Sequence, residues 1–194
     1  MQRALQAAFL SGLLISVGGV GAVTRAADVP KAAPLRVSGP DLRHGYPEAY
    51  TANAFGCTGG NQSPALHWDG APAGTKSFVV TLYDPDDRDS PSGWWHWVVY
   101  DIPASVSDLA VSAGTEKSTK LPPGTKQGRT DLGNEAYHGP CPDKGDRPHR
   151  YTFTVYALDV DKLPVDTGSS GAMVVETAHE HVLAQGKLVV RHGR

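Results

Sequence analysis

Hydrophobic and β-branched residues occur along this chain in short runs bounded by proline, glycine and polar residues. Four such runs predict β-strands, and they cover Ser77 to Tyr83, Trp94 to Tyr100, Tyr151 to Leu158 and Lys187 to Arg191. Because several short strands alternate with turn-rich connections, the pattern favours a mainly β protein built as a β-sandwich.

The run Trp94 to Tyr100 is apolar on both of its alternating faces. One face carries Trp95, Trp97 and Val99, and the other carries His96, Val98 and Tyr100. Such a strand is expected to be buried on two sides. His96 is therefore expected among apolar neighbours, where its ring nitrogens need partners.

One segment near the end of the chain has helical periodicity. Val175, Ala178 and Val182 lie at positions i, i+3 and i+7, and Gly186 follows as a stop signal. This spacing predicts a helix over Ala172 to Gln185. Between the strands, Ser112 to Pro148 is rich in Gly, Pro, Thr and charge, which predicts a long functional or disordered loop.

The first 26 residues have the features of a secretory signal peptide. A basic Arg3 precedes an apolar run, Ala7 to Val23, and small residues follow at Thr24 to Ala27. A membrane anchor is the alternative, but glycines dilute the run and it is short for a span. We expect cleavage after Ala26 or Ala27, a loose segment over residues 27–34, a single domain over 35–194, and a periplasmic or secreted location without stable membrane insertion.

Charge and cysteine content narrow the function classes. The chain has 18 Lys and Arg against 20 Asp and Glu, and removal of Arg3 and Arg25 would leave a net charge of −4. This balance excludes the basic surface expected of a nucleic-acid partner. The two cysteines, Cys57 and Cys141, form no CxxC motif and, in an exported chain, predict a disulfide, with a pair of buried free thiols as the alternative.

Two clusters carry the candidate chemistry. Tyr83-Asp84-Pro85-Asp86 is followed by Trp94-Trp95-His96-Trp97, and Gly139-Pro140-Cys141-Pro142 leads to His149-Arg150-Tyr151. Pro85 disfavours helical geometry at Asp84, so the Asp84 side chain is expected to project from the strand end. Asp86 either shares that face or caps the turn.

In this order, the two clusters resemble those of the phosphatidylethanolamine-binding protein family, and in particular its bacterial Raf-kinase-inhibitor-like branch. The likeness extends to Phe55-Gly56-Cys57, Gly60 to Pro64, Gly74 to Phe78 and Ser170 to Met173. The resemblance implies a two-sheet antiparallel β-sandwich with a C-terminal helix. It also makes a homodimer and modulation of a partner protein expectations, whereas the identity of that partner is left open.

The resemblance implies a cavity for phosphate-like anions and phosphoryl head groups. The residues that match it are Asp84, His96, His149 and Tyr151, with Asp86, Gly139 and Pro140 as further candidates. A protonated histidine can donate a charge-assisted hydrogen bond to an oxyanion, and a nearby aspartate favours that protonated form. The ligands expected are phosphate, phosphoethanolamine or a carboxylate, without a cofactor or metal.

The loop after Asp86 departs from the family pattern. It continues Asp87-Arg88-Asp89-Ser90-Pro91, which displaces the proline and lengthens the loop by one residue. Asp87 and Asp89 would repel an anion, whereas Arg88 would attract it, and the sequence leaves the sign of the charge at the cavity mouth open.

A hydrolase of small phosphorylated or ester substrates that uses Asp84 and His96 is the alternative function. The Asp and His pairs could perform acid–base chemistry, but no nucleophile stands out. Gly168 to Gly171 is one residue short of a Gly-x-Ser-x-Gly elbow, and Leu183 breaks the zinc-binding pattern that starts at His179. Binding without catalysis is therefore favoured.

Overall fold

The computed structural model describes residues 34–194. The predicted signal peptide, residues 1–26, and all but the last residue of the predicted loose segment lie outside the described residues. Within the described part, no helix is both long and apolar enough to cross a membrane.

The described chain forms two antiparallel sheets and one α-helix. The strands are β1 (Arg36–Ser38), β2 (Leu66–Asp69), β3 (Ser77–Asp84), β4 (Trp94–Pro103), β5 (Asp108–Leu109), β6 (Lys126–Gln127), β7 (His149–Leu158) and β8 (Val182–His192). The helix is α1 (Gly171–His179), and 3-10 turns lie at Pro40–Leu42 and Glu48–Tyr50. The small sheet has the order β1-β2-β5 and the large sheet the order β6-β4-β3-β7-β8.

The main core lies between the two sheets. Side chains of β2 and β5 pack there against the inner face of β3, β4 and β7, and the contributors include Leu66, Trp68, Leu109, Phe78, Leu82, Trp97 and Phe153. Trp68 and Phe78 meet edge to face across the sheets, with ring centroids 5.4 Å apart. Burial of these large apolar side chains is the main favourable term holding the layers together. The predicted two-sheet antiparallel sandwich is confirmed.

Helix α1 covers part of the outer face of the large sheet. Val174, Val175 and Ala178 pack there against Val98 and other residues of the second core. Gly171 lies so close to Trp95 that a Cβ would come within 2.7 Å of its ring. A glycine is therefore needed where the helix starts on the sheet.

The predicted helix over Ala172 to Gln185 is wrong in its second half. The helix ends at His179, and β8 begins at Val182 and pairs with β7 along its length, from Leu158↔Val182 to His149↔His192. Gly186 sits against the Leu35 carbonyl, where no side chain would fit. The periodicity of Val175, Ala178 and Val182 was thus only local, and pairing with β7 decided the structure from Val182 onwards.

A β-bulge changes the predicted faces of β4. Leu82 pairs with Trp97 but Tyr83 pairs with Trp95, so His96 is an extra residue on β4. Trp95 therefore lies on the outer face with Tyr83, their ring centroids 4.6 Å apart, instead of sharing a face with Trp97. Bulges commonly re-aim a side chain next to a functional site, and this one keeps His96 on the inner side.

Candidate functional site

The structure brings Asp84, His96, His149 and Tyr151 together at one end of the space between the sheets. Asp84 ends β3, His96 lies in the bulge of β4, and His149 and Tyr151 begin β7. All four are at least 95% buried. They line a cavity of about 200 Å³, whose other lining residues are Phe55, Asp87, Asp89, Trp94, His138, Cys141, Pro142 and Asp143.

The Asp84 carboxylate orients His149. His149 Nδ1 donates to Asp84 Oδ2 at 2.8 Å, and the Asp86 backbone N–H donates to Asp84 Oδ1 at 2.8 Å. His149 Nε2 lies 3.5 Å from Asp146 Oδ2. Each ring nitrogen of His149 therefore lies near a carboxylate oxygen, and these two contacts fix the orientation of the ring.

His96 is held neutral. Its Nδ1 donates to the His138 carbonyl at 2.9 Å, and its Nε2 is buried without a partner. Burial lowers the pKa of His96 to about 3, because desolvation penalises the imidazolium. With a proton on Nδ1, the free Nε2 of His96 is a hydrogen-bond acceptor, so this geometry favours a neutral His96 over the imidazolium expected from the sequence.

Tyr151 supplies a hydroxyl that stays protonated. Burial, aided by the negative charge of Asp84, raises the pKa of Tyr151 well above its ordinary value. The Tyr151 ring lies 5.3 Å from the His96 ring and 6.2 Å from the His149 ring, measured between centroids. The phenol can therefore donate to a ligand that lies between the two histidines.

His138 is a lining residue that the sequence analysis missed. Both of its ring nitrogens are buried without partners, and burial lowers its pKa. The exposed Phe55 ring packs edge-on against it at 5.7 Å. Its position directly before Gly139-Pro140 is the signal that could have identified it. Buried polar atoms without partners are uncommon and costly, so the free nitrogens of His96 and His138 indicate a place for a ligand or water.

Asp86 lies outside the cavity. It accepts hydrogen bonds from the Arg150 backbone N–H at 2.9 Å and from Arg150 Nε and NH2 at 2.8 Å each. These contacts, led by the Arg150 side chain, lower the pKa of Asp86 to about 2. Asp86 thus fastens the β3–β4 loop to β7 rather than facing the cavity that Asp84 lines.

Gly139 and Pro140 are not among the lining residues of the cavity. Gly139 lies against the backbone of Tyr50 to Ala52, which leaves no room for a Cβ, and its N–H donates to Asn61 Oδ1 at 2.8 Å. The Pro140 carbonyl accepts from the Ala52 N–H at 3.0 Å. Their contribution is to hold the following loop in place.

A disulfide joins Cys57 to Cys141, as the sequence predicts, with Cα atoms 6.0 Å apart. Cys141 is itself a lining residue, next to Pro142. The bridge therefore connects the loop that presents Phe55 to the segment that presents Cys141 and Pro142 to the cavity.

The cavity has an acidic lining. It includes four carboxylates, those of Asp84, Asp87, Asp89 and Asp143, and no Lys or Arg is among its described lining residues. Arg88 pairs instead with Asp146, with a nitrogen–oxygen distance of 3.0 Å. Of the three charged residues in this loop, the two aspartates line the cavity and the arginine does not.

The fold agrees with the comparison with known proteins. Residues 46–192 match the family model described as phosphatidylethanolamine-binding protein. The chain belongs to the phosphatidylethanolamine-binding protein family. The family prediction is therefore confirmed.

Relatives within the phosphatidylethanolamine-binding protein family include two proteins of Escherichia coli. YbcL is 51% identical over 146 residues, covering 74% of this chain and 79% of YbcL, and YbhB is 49% identical over 150 residues, covering 76% and 93%. LppC of Mycobacterium tuberculosis is 30% identical over 161 residues, covering 82% and 73%. The crystal structure of YbcL, described as a member of the mammalian PEBP family, matches with a TM-score of 0.80 and 44% identity over 84% of this chain and 99% of that one.

Proposed function

We propose that this chain is an exported binding protein whose cavity holds a small phosphorylated amine of the phosphoethanolamine type. The observation that carries the proposal is the mixture of groups around one cavity. Tyr151 and a protonated His149 can donate to phosphoryl oxygens, whereas the lining carboxylates and the free Nε2 of His96 can accept from an ammonium group.

The charge of the cavity favours a zwitterion over free phosphate. A phosphate dianion would meet four carboxylates and no Lys or Arg among the described lining residues, and like charges at close range in a partly desolvated site are unfavourable. An ammonium group on the same ligand turns those carboxylates into partners. The family description, phosphatidylethanolamine-binding protein, supports the same head group.

The size of the cavity also supports a small ligand. Its volume of about 200 Å³ is below the range of roughly 300–1,000 Å³ that drug-sized ligands occupy. A head group fits this space, and any attached chain would extend past Phe55 towards solvent.

Hydrolysis is not favoured by the lining residues. The described lining contains no Ser, Thr or Lys, and its cysteine is bound in the disulfide. A hydrolase would have to use a lining aspartate, histidine or tyrosine, or an activated water, as its nucleophile, and Asp84 and His149 are already hydrogen-bonded to each other. We therefore propose binding without turnover.

Titration calorimetry against phosphoethanolamine, inorganic phosphate, ethanolamine and acetate tests the proposal. Phosphoethanolamine is expected to bind most tightly. Asp89→Asn should weaken phosphoethanolamine binding by about two- to fivefold, which is the effect expected of one partly exposed charge pair. The same substitution should strengthen the binding of phosphate. Asp108→Asn on β5 removes the same charge away from the cavity and should change neither affinity. Equal binding of phosphate and phosphoethanolamine would contradict the proposal.

Export is part of the same proposal. It is supported by the signal-like residues 1–26, by the disulfide and by the provisional lipoprotein name of LppC. N-terminal sequencing of protein recovered outside the cytoplasm should begin at Ala27 or Asp28. Recovery of the full-length chain in the membrane fraction would contradict cleavage and support an anchor.

A further inference from the structure

A second group of charged residues lies on the other side of the β3–β4 loop from the cavity. Arg147, Arg150 and Arg191 border a groove of about 270 Å³ together with Asp86 and Pro148. Successive residues of a strand point to opposite faces, so His149 lines the cavity while Arg150 faces this groove. The groove and the cavity share a loop but no lining residue.

The arginines are brought together by the register of the large sheet. Arg150 on β7 is directly opposite Arg191 on β8. Like charges in directly opposed positions destabilise an antiparallel pair. Arg147, three residues before Arg150, adds a third guanidinium at the same place.

Within the described chain, Asp86 is the one carboxylate that borders the groove with these three arginines. Most of its hydrogen bonds are made with Arg150. Asp86 accepts the backbone N–H and both side-chain contacts of Arg150, whereas Arg147 reaches Asp86 Oδ1 only at 3.4 Å. Within residues 34–194, Arg191 has no hydrogen bond or ion pair to a carboxylate. The groove therefore carries a local excess of two positive charges in a chain that is acidic overall.

The groove combines a fixed guanidinium with accessible ones. The Asp86 side chain is only 5% exposed and holds Arg150 in one orientation, while the side chains of Arg150 and Arg147 are 48% and 75% exposed. A guanidinium presents donors in a planar fork that matches oxyanions, and orienting it in advance reduces the entropy lost on binding.

We propose that Arg147, Arg150 and Arg191 form a binding site for a phosphomonoester group. At neutral pH such a group carries a charge of about −1.5 to −2 and three acceptor oxygens, which matches two excess positive charges and three guanidinium groups. The site is distinct from the acidic cavity, and it takes the group either from a soluble molecule or from a lipid at a membrane surface.

The site is tested by titrating the full-length protein with inorganic phosphate and following the arginine Nε–Hε signals by NMR. The signals of Arg147, Arg150 and Arg191 are expected to shift saturably. Arg191→Gln and Arg147→Gln should each weaken the fitted affinity by about tenfold, the loss of one charge-assisted contact. Arg36→Gln removes an equal charge from the exposed Arg36–Asp69 pair on the small sheet and should leave the affinity unchanged.

Two results would overturn the site. One is the absence of saturable shifts at the three arginines, and the other is a loss of affinity in Arg36→Gln equal to that in Arg191→Gln.

Vesicles distinguish the two sources of the phosphomonoester. Sedimentation with phosphatidic acid vesicles but not with phosphatidylcholine vesicles, reduced by Arg191→Gln, would assign the site to a lipid. Saturable binding of phosphate without retention on either vesicle would assign it to a soluble ligand.

Discussion

The imidazole of His96 is kept neutral by burial and by donation from Nδ1 to the His138 carbonyl. In the unfolded chain a histidine takes up a proton near its ordinary pKa of about 6.5, whereas in the folded protein the pKa of His96 is about 3. Between these values the unfolded state binds more protons. The contribution of the neutral His96 to the free energy of unfolding is therefore complete above pH 6.5, and it is lost as the pH falls towards 3.

His96→Gln should make the stability less sensitive to acid. Glutamine can keep a donor to the carbonyl but does not titrate, so the contribution of His96 to the pH dependence disappears. The check is urea unfolding at pH 7, 5.5 and 4.5, with the exposed His44→Gln as control. Burial also lowers the pKa values of His138 and His192. The stability of His96→Gln should therefore still fall with decreasing pH, but less steeply than that of the original protein. An unchanged slope in His96→Gln would show that His96 is charged in the folded protein.

Tyr151→Phe should weaken phosphoethanolamine binding by about 1 kcal/mol while the fold is retained. The ring packing stays, and one neutral hydrogen-bond donor is lost, which is worth about 0.5–1.5 kcal/mol. Calorimetry measures the affinity and thermal unfolding the stability. Tyr83→Phe is the matched control, because the Tyr83 hydroxyl donates to the Ser92 carbonyl on the outer face. An equal loss of phosphoethanolamine affinity in Tyr83→Phe would show that the Tyr151 hydroxyl does not contact the ligand.

At the scale of the elements, the bulge in β4 explains why the predicted faces failed there. Both faces of Trp94 to Tyr100 are apolar, so an extra residue leaves no break in the hydrophobic pattern. The bulge is visible only in the pairing of Leu82 with Trp97 and Tyr83 with Trp95. Likewise, β1, β2, β5 and β6 have two to four residues each, and strands that short depend on partners distant in sequence.

Helix α1 has a side-chain cap whose removal is measurable. The Ser170 Oγ accepts from the Met173 N–H at 3.3 Å. Ser170→Ala should lower the free energy of unfolding by about 1 kcal/mol, the usual cost of losing an N-cap. The neighbouring Ser169→Ala, whose side chain makes no hydrogen bond within the described residues, should cost much less. Denaturant unfolding measures both, and equal losses would show that the cap is incidental.

At the scale of the whole molecule, the sequence predicted the sandwich and most of the site because the informative residues sit at strand ends. Asp84 precedes a proline at the end of a clear strand, and His149 and Tyr151 open another, so their convergence follows from pairing β3 with β7. The sequence did not predict the exclusion of Asp86, because the Asp86–Arg150 contact depends on the orientation of a loop. Nor did it predict the protonation of His96, which depends on burial by residues far along the chain.

Reduction of the disulfide should destabilise the whole domain. The bridge spans a sequence separation of 84 residues, and closing a loop of that length is worth about 4 kcal/mol in the chain-entropy model. Urea unfolding with and without a reducing agent measures the difference, and Cys57→Ser with Cys141→Ser should reproduce it without reductant. A change below about 0.5 kcal/mol would show that the surrounding contacts alone fix the cavity walls.

The bridge between Cys57 and Cys141 also bears on how the protein matures. The chain has two cysteines, so oxidation within one molecule can form only one disulfide. A chain with four cysteines could instead form three different sets of pairings. Maturation therefore needs an oxidant but no reshuffling of wrong bonds. The remaining hazard lies between molecules: Cys57 is made well before Cys141, and until the later thiol arrives, the earlier one can react with a neighbouring chain.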